Sequence, residues 1–471
     1  MSISRRQFLR SSAALSLGFA GLRCRGAELP TAVTTAAKPE IGLGLLLDDP
    51  NNLVALPESF TYKVISTQGE QMTDGFLVPA LHDGMGAFSG PNSKTVLVRN
   101  HEIHSAASPG LGAFGNNNEL LSQVDQSLLY DTGAGTGPAL GGTTTLVFDT
   151  QTQSLESHYL SLAGTLRNCS GGITPWGSWI TCEETTERVG HASIGQDHGY
   201  PFEVRASAKR ELQQATPLKA MGRFNREAVA VDAESGIVYQ TEDQSDGLLY
   251  RYIPEIPGRL EAGGEVQALV VKDRPSLDTR NWAERNVYPG SPMDVEWITL
   301  DDVTAPSDDL RFRGFGDGAA RFARAEGIWY GNREIYIVCT NGGPAKQGQV
   351  WRYKTKQNTY GSGVADTLEL FVESNDSLLL ENGDNITIAP WGDLIICEDG
   401  VDGIGHNRVV GITPTGEMYE IVRNMKSTGE FAGVCFSPDG TTLFVNMQLE
   451  GSTLAITGDW SRRHTGISGA F

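Results

Sequence analysis

The sequence predicts an all-β chain folded as a six-bladed β-propeller with long loop insertions. A hairpin-like segment recurs six times, and glycine and proline are frequent, at 56 and 21 of 471 residues. Long amphipathic helical patterns are scarce. Repetition at this scale decides the architecture, and many short strands between Gly/Pro turns favour all-β folds.

The clearest copy is residues 168–184, NCSGGITPWGSWITCEE. Two short apolar runs flank a Pro-Trp-Gly turn, which reads as a hairpin whose outer ends lie side by side. Cys169 and Glu183, fourteen positions apart, are thereby expected to meet. A thiolate beside carboxylates is metal-ligand chemistry. Residues 385–399, NITIAPWGDLIICED, repeat the pattern: Trp176 precedes Cys182 by six positions and Trp391 precedes Cys397 by six. Looser copies start at Asp83, Glu227, Glu326 and Glu430. Each runs from a polar or acidic residue through a strand, a Gly-containing turn and a second strand to Glu or Asn. The first and last ligand types stand 14 to 17 positions apart in all six. In a propeller the innermost strand of every blade follows the channel, so six such hairpins deliver about a dozen polar side chains to one rim. Acids that merely cap exposed turns need no common register.

Between the hairpins, residues 104–142 and 256–322 break the rhythm as insertions, of a length that usually covers or serves a site. A strand near residues 60–66 or 76–79 is expected to complete the last blade and leave no exposed edge. Residues 1–27 read as a leader. Ser4-Arg5-Arg6-Gln7-Phe8-Leu9-Arg10 is a twin-arginine pattern, followed by a modest apolar run at 13–22 that is too short to span a membrane. Residues 28–471 then form a single domain, exported to the periplasm or secreted with the twin-arginine translocase as its partner, without stable membrane insertion and as a monomer.

Formal net charge is −20, and loss of the leader's five arginines leaves 32 basic against 57 acidic residues, a balance of −25. Such a surface repels nucleic acid and anionic lipid. A dense set of rim acids needs bound cations to hold together. Cys182, Cys339, Cys397 and Cys435 lie in apolar strand runs and read as buried free thiols. Cys169 differs, with Asn168 before it and Ser-Gly-Gly after it. Arg324, two residues before Glu326, points into the same region as that acid, and a guanidinium grips phosphate oxygens with two parallel donors. Arg223, Arg226 and His101 are weaker candidates. The sequence has no Walker-type loop, no Gly-x-Ser-x-Gly elbow and no His-Glu-x-x-His motif.

The twin-arginine leader, NCSGG…PWG…TCEE, GRF..E…TED, Arg-x-Glu at 324–326 and ENGDN…PWGDLIICED together resemble the PhoX-type alkaline phosphatases over about residues 50–450. The resemblance implies a propeller with ferric and calcium ions on its axis, a cysteine and carboxylates on iron, and Glu, Asp and Asn on calcium. Carried over by motif, Cys169 is an iron ligand. Glu183, Glu184, Glu227, Glu242, Glu326, Asp384, Asn385, Glu398 and Asp399 are metal ligands. Arg324 and Glu326 contact the phosphoryl group of a small phosphorylated substrate. The implied activity is metal-dependent hydrolysis of phosphate monoesters. Two competing readings make different demands: a calcium-dependent propeller lactonase or esterase needs one calcium and no Cys169, and a metal-stabilised binding scaffold has an inert channel.

Overall fold

The computed structural model describes residues 41–462 except 136, 192–193, 332, 356–365 and 401–404. The twin-arginine leader lies outside the described residues. Nearly all regular structure is β-strand, and the one α-helix among the described residues is Leu310–Gly316.

Each of the six repeated segments is an antiparallel hairpin. Their inner strands are His82–Ser89, Asn168–Ile173, Arg226–Val231, Ala325–Gly331, Gly383–Ile388 and Phe431–Phe436. Their return strands are Thr95–His101, Ser178–Glu183, Val238–Glu242, Glu334–Cys339, Leu394–Glu398 and Thr442–Met447. The two Pro-Trp-Gly turns work because Gly177 and Gly392 supply φ of +85° and +93°, which a side chain disfavours. Each inner strand packs on the next in chain order, and Phe431–Phe436 packs back on His82–Ser89, so the arrangement is propeller-like and closed. At the axis the backbones nearly touch: a Cβ on Gly327 would sit 2.3 Å from the Asp384 carbonyl oxygen.

The hydrogen-bonded sheets do not separate into six. Among the described residues five sheets form, and one of ten strands holds two of the hairpins. The joint is the strand Met293–Thr299, which pairs with Gly264–Val271 on one side and with Thr367–Glu373 on the other. It comes from the 256–322 insertion, which is therefore partly sheet rather than only a covering loop.

Closure uses the chain's beginning. Phe60–Thr67 pairs with Ser452–Gly458 and completes the last sheet. Val54–Pro57 adds to the neighbouring sheet beside Met418–Asn424. The core lies between adjacent sheets. One cluster packs Tyr239 and Leu269 from the third hairpin's sheet region against Ile337 and Trp351 from the fourth, and another joins Ile395 and Val409 to Val445 and Leu454. No described helix is long and apolar enough to cross a membrane.

Candidate metal centre

Every hairpin carries the same irregularity. Near the start of each inner strand the ladder slips, between Arg226 and Val229 for example, or Gly383 and Ile386. A bulge bends its strand and re-aims the side chains beside it. The residue just inside each inner strand is thereby equivalent across the ring: Asp83, Cys169, Glu227, Glu326, Asp384 and Ala432. A second equivalent set follows the return strands: Glu102, Glu184, Asp243, Thr340, Asp399 and Gln448. Each of their N–H groups donates to the carbonyl of the residue ahead of the inner strand, at 2.9–3.3 Å. Those leading residues are Leu81, Arg167, Asn225, Arg324, Asn382 and Glu430. Leu81, Arg167, Arg324 and Asn382 hold φ between +44° and +49°, a left-handed backbone that non-glycine residues rarely adopt.

Eight of these twelve residues line one cavity of about 430 Å³. Eight carboxylates line it: Glu102, Glu184, Glu227, Asp243, Glu326, Asp384, Asp399 and Glu430. Cys169, Arg167 and Arg324 complete the charged lining. The Cys169 thiol donates to Glu227 Oε1 at 3.2 Å. Ligand atoms of Asp83, Glu102 and Cys169 lie within 4.8 Å of one another, and so do those of Cys169, Glu184 and Glu227. The sulfur is thus common to two groups.

Burial pushes the carboxyls of Asp83, Glu227, Glu326 and Asp384 well above the usual range, and neighbouring carboxylates push them further. Burial likewise raises Glu184, against the pull of Arg167, and it raises the Cys169 thiol. Two arginines cannot balance this set. Multivalent cations can, and a thiol among hard oxygen donors fits them.

The two arginines are held alike. Arg324 forks onto Asp243 through Nε and Nη2, both at 2.9 Å, and Nη2 lies 2.6 Å from Glu326 Oε1. Arg167 reaches Glu102 Oε1 through Nε at 3.0 Å and Nη2 at 2.7 Å, and Nη2 also bonds Glu184. Among the described residues neither Nη1 makes a hydrogen bond, so each guanidinium keeps one nitrogen uncommitted.

Of the residues expected from sequence, Cys169, Glu184, Glu227, Arg324, Glu326, Asp384 and Asp399 come together in this cavity. Glu183, Glu242 and Glu398 do not. Glu183 accepts from Leu166 N, Gly199 N, Tyr200 N and His198 Nδ1. Glu242 accepts from the Tyr250 hydroxyl at 2.8 Å and from Leu248 N, and burial raises its carboxyl to about 7. Glu398 accepts from Arg408 Nε at 2.7 Å and from Glu381 N. The reason is strand alternation: successive side chains face opposite sides, so the first acid of each pair braces its own sheet and the second meets the axis. Asn385 stands behind Asp384, donating to its Oδ1 at 2.8 Å and accepting from Gly433 N. The ligand set carried over by motif lacks Asp83, Glu102, Asp243, Glu430 and Arg167. Asp83 and Glu430 open repeat copies, and Asp243 ends the TED motif, so those signals were in the sequence.

The weaker candidates are structural. His101 bonds Ala80 O and Thr144 Oγ1. The guanidinium groups of Arg223 and Arg226 are spent mainly on backbone carbonyls. The five described cysteines are free and buried.

Behind Glu183 lies a fully buried ion cluster. His198 bonds Glu183 at 2.6 Å and Asp131 at 3.1 Å. Burial alone would lower its pKa, but the two carboxylates outweigh burial and raise it to about 9. A group raised on folding stabilises fully below its unfolded pKa of about 6.5 and loses that contribution as pH climbs to about 9. Urea unfolding should therefore show stability falling by up to a few kcal/mol between pH 6.5 and 9.5. His198→Gln should flatten this slope, and an unchanged slope in the variant would refute the assignment.

The family model described as alkaline phosphatase PhoX matches residues 41–154 and 130–451. No curated protein sequence matches the chain. Among solved structures, PhoX of Pseudomonas fluorescens in complex with vanadate, a transition-state analogue, is similar with a TM-score of 0.62 at 17% identity, over 90% of this chain and 99% of that one. A gluconolactonase of Xanthomonas campestris gives a TM-score of 0.39 at 9% identity, over 84% of this chain and 98% of that one. A putative 6-phosphogluconolactonase of Bacteroides uniformis gives 0.35 at 10% identity, over 82% and 89%. The match to the family model spans most of the protein, and the chain belongs to the PhoX alkaline phosphatases, metal-dependent hydrolases of phosphate monoesters.

Proposed function

We propose that the axial cavity is the active site, that it works with ferric iron and calcium, and that Cys169, Glu184, Glu227, Glu326, Asp384 and Asp399 hold these ions. Asp83, Glu102, Asp243 and Glu430 belong to the same donor set. Iron suits the thiolate with its carboxylate neighbours, and calcium suits the all-oxygen side of the ring. Bound there, the cations supply charge for the phosphoryl oxygens and lower the pKa of nearby water.

The observation that carries this reading is the pair of clamped arginines. Each is fixed along one edge by carboxylates and leaves Nη1 uncommitted beside the cavity. Arg324 thus presents a pre-oriented N–H pair to a phosphoryl oxygen, and Arg167 presents another across the ring. Preorganised donors need no rearrangement as charge builds in the transition state. Glu326 keeps the Arg324 guanidinium from turning away. The rest of the reading follows the sequence: residues 28–471 are one domain of six blades, the ten-stranded sheet counting as two blades joined by Met293–Thr299. Residues 1–27 direct export to the periplasm or medium by the twin-arginine translocase, and the exported enzyme is a monomer.

Turnover of p-nitrophenyl phosphate should disappear when calcium and iron are both chelated and return when both are restored. The melting temperature should fall by about 5–10 °C on chelation, as expected when a ligand at well above its Kd is withdrawn. Full turnover in the continued presence of the chelators would contradict the proposal.

A further inference from the structure

The rim beside Arg324 carries a second positive feature. Trp282, from the 256–322 insertion, is flanked by two cations: Arg280 Cζ lies 4.2 Å from its ring centre and Lys346 Nζ lies 4.9 Å away. The indole N–H fixes the ring by donating to Asn341 O at 2.6 Å. Arg280 Nη1 donates to Ser245 O at 2.9 Å, and Ser245 lines the axial cavity. Arg324 N in turn bonds Gln244 O. One short stretch of backbone therefore links the phosphoryl-side arginine to this cluster.

The two cations differ. Arg280 is forked onto Asp278 at 2.8 and 2.7 Å, which spends its charge. Lys346 is exposed and forms no ion pair among the described residues. Its backbone is nonetheless pinned, with φ of +56°, its N–H on Gly343 O and its carbonyl accepting from Asn382 Nδ2. Asn382 immediately precedes the Gly383–Ile388 inner strand, so Lys346 stands at the same rim. A cation with no ion pair among the described residues, held over an indole whose other cation, Arg280, bonds the cavity-lining Ser245, is placed on a chain of net charge −20 to meet further negative charge on an incoming ester.

We propose that Lys346, seated on Trp282, forms a leaving-group subsite that favours phosphate esters carrying a second anionic group. This rests on the scissile phosphoryl group lying at Arg324, so that the leaving group extends past Gln244 and Ser245 toward Lys346. A rim cation adds binding shared by ground and transition states, so its effect belongs in KM rather than kcat.

Steady-state kinetics of the metal-loaded enzyme test this with p-nitrophenyl phosphate, adenosine 5′-monophosphate and adenosine 3′,5′-bisphosphate. The two nucleotides share a base and differ by one phosphate. Wild type should favour the bisphosphate in kcat/KM by about three- to fivefold, the worth of one exposed charge pair. Lys346→Met, which keeps the stem on the ring, should remove the preference, and Lys346→Glu should invert it, with kcat on p-nitrophenyl phosphate within about twofold of wild type. Rising ionic strength should shrink the preference in wild type alone. No preference in wild type, or one that survives Lys346→Glu, overturns the subsite and leaves the phosphatase activity standing. Equal loss on both nucleotides in Trp282→Ala with Lys346→Glu inert would assign the ring to base stacking and also overturn it. Absence of turnover on all three esters would strike the active-site reading itself.

Discussion

Cys169→Ser should lower kcat on an aryl phosphate by roughly 10²-fold or more, because even the outer partners of metal ligands are worth about 10–100-fold. Bound iron should fall with it. The sulfur is common to two groups of potential ligands, one with Asp83 and Glu102 and one with Glu184 and Glu227. Among the described residues no other cysteine lines the cavity. Serine is close in size, so the inner strand Asn168–Ile173 keeps its packing, and the loss reports ligand chemistry rather than folding. A hydroxyl binds a soft-borderline metal far less well than a thiolate. Wild-type kcat and iron content in Cys169→Ser would refute the role. Cys182→Ser is the control: that thiol is buried in the core cluster that includes Ile180 and Leu248, and its replacement should affect stability and leave turnover per folded molecule unchanged.

Arg324→Lys should cost about 10²–10³-fold in kcat/KM despite keeping the charge, the range typical of one preorganised donor to a developing anion. Lysine cannot fork onto Asp243 and also present a second nitrogen to the substrate. Without the fork, Asp243 becomes a loose carboxylate beside the phosphoryl group, which adds repulsion to the lost contact. Phosphate, as a competitive inhibitor, should weaken in parallel. Arg167→Lys is expected to behave similarly but more mildly, since Asn225 still holds one oxygen of Glu184 at 3.0 Å. An Arg324→Lys enzyme with unaltered kcat/KM and unaltered phosphate inhibition would remove Arg324 from the chemistry.

Much of this architecture was legible in the chain. Matched turns such as the two Pro-Trp-Gly segments announce hairpins, because few sequences other than glycine at the turn satisfy the backbone there. Of the two closing strands the sequence offers, 60–66 and 76–79, the first is the one that closes the last sheet, as Phe60–Thr67. The site was legible only to within one residue. Each inner hairpin contains a bulge, which adds a residue that no sequence spacing declares. The pairing partner of Asn168 is Glu183, yet the axial neighbour of Cys169 is Glu184. The same one-residue offset separates Glu242 from Asp243 and Glu398 from Asp399: the first of each pair bonds within its sheet and the second lines the cavity. Arg167 was hidden for a different reason. It precedes the NCSGG motif and reaches the axis from a left-handed backbone, a conformation no local residue type signals. The strand Met293–Thr299 was masked by the Arg, Asp and Pro around it in the 256–322 insertion, so the ten-stranded sheet had no outward sign.

The proposed function requires that bound metal ions balance the charge of the acidic axial ring. Elemental analysis of the exported enzyme, purified from its own host and gel-filtered, tests this most directly. Tightly held iron together with more than one calcium per chain is the predicted result, with both falling in Cys169→Ser and Glu227→Gln. Fully active enzyme carrying neither iron nor calcium would contradict it.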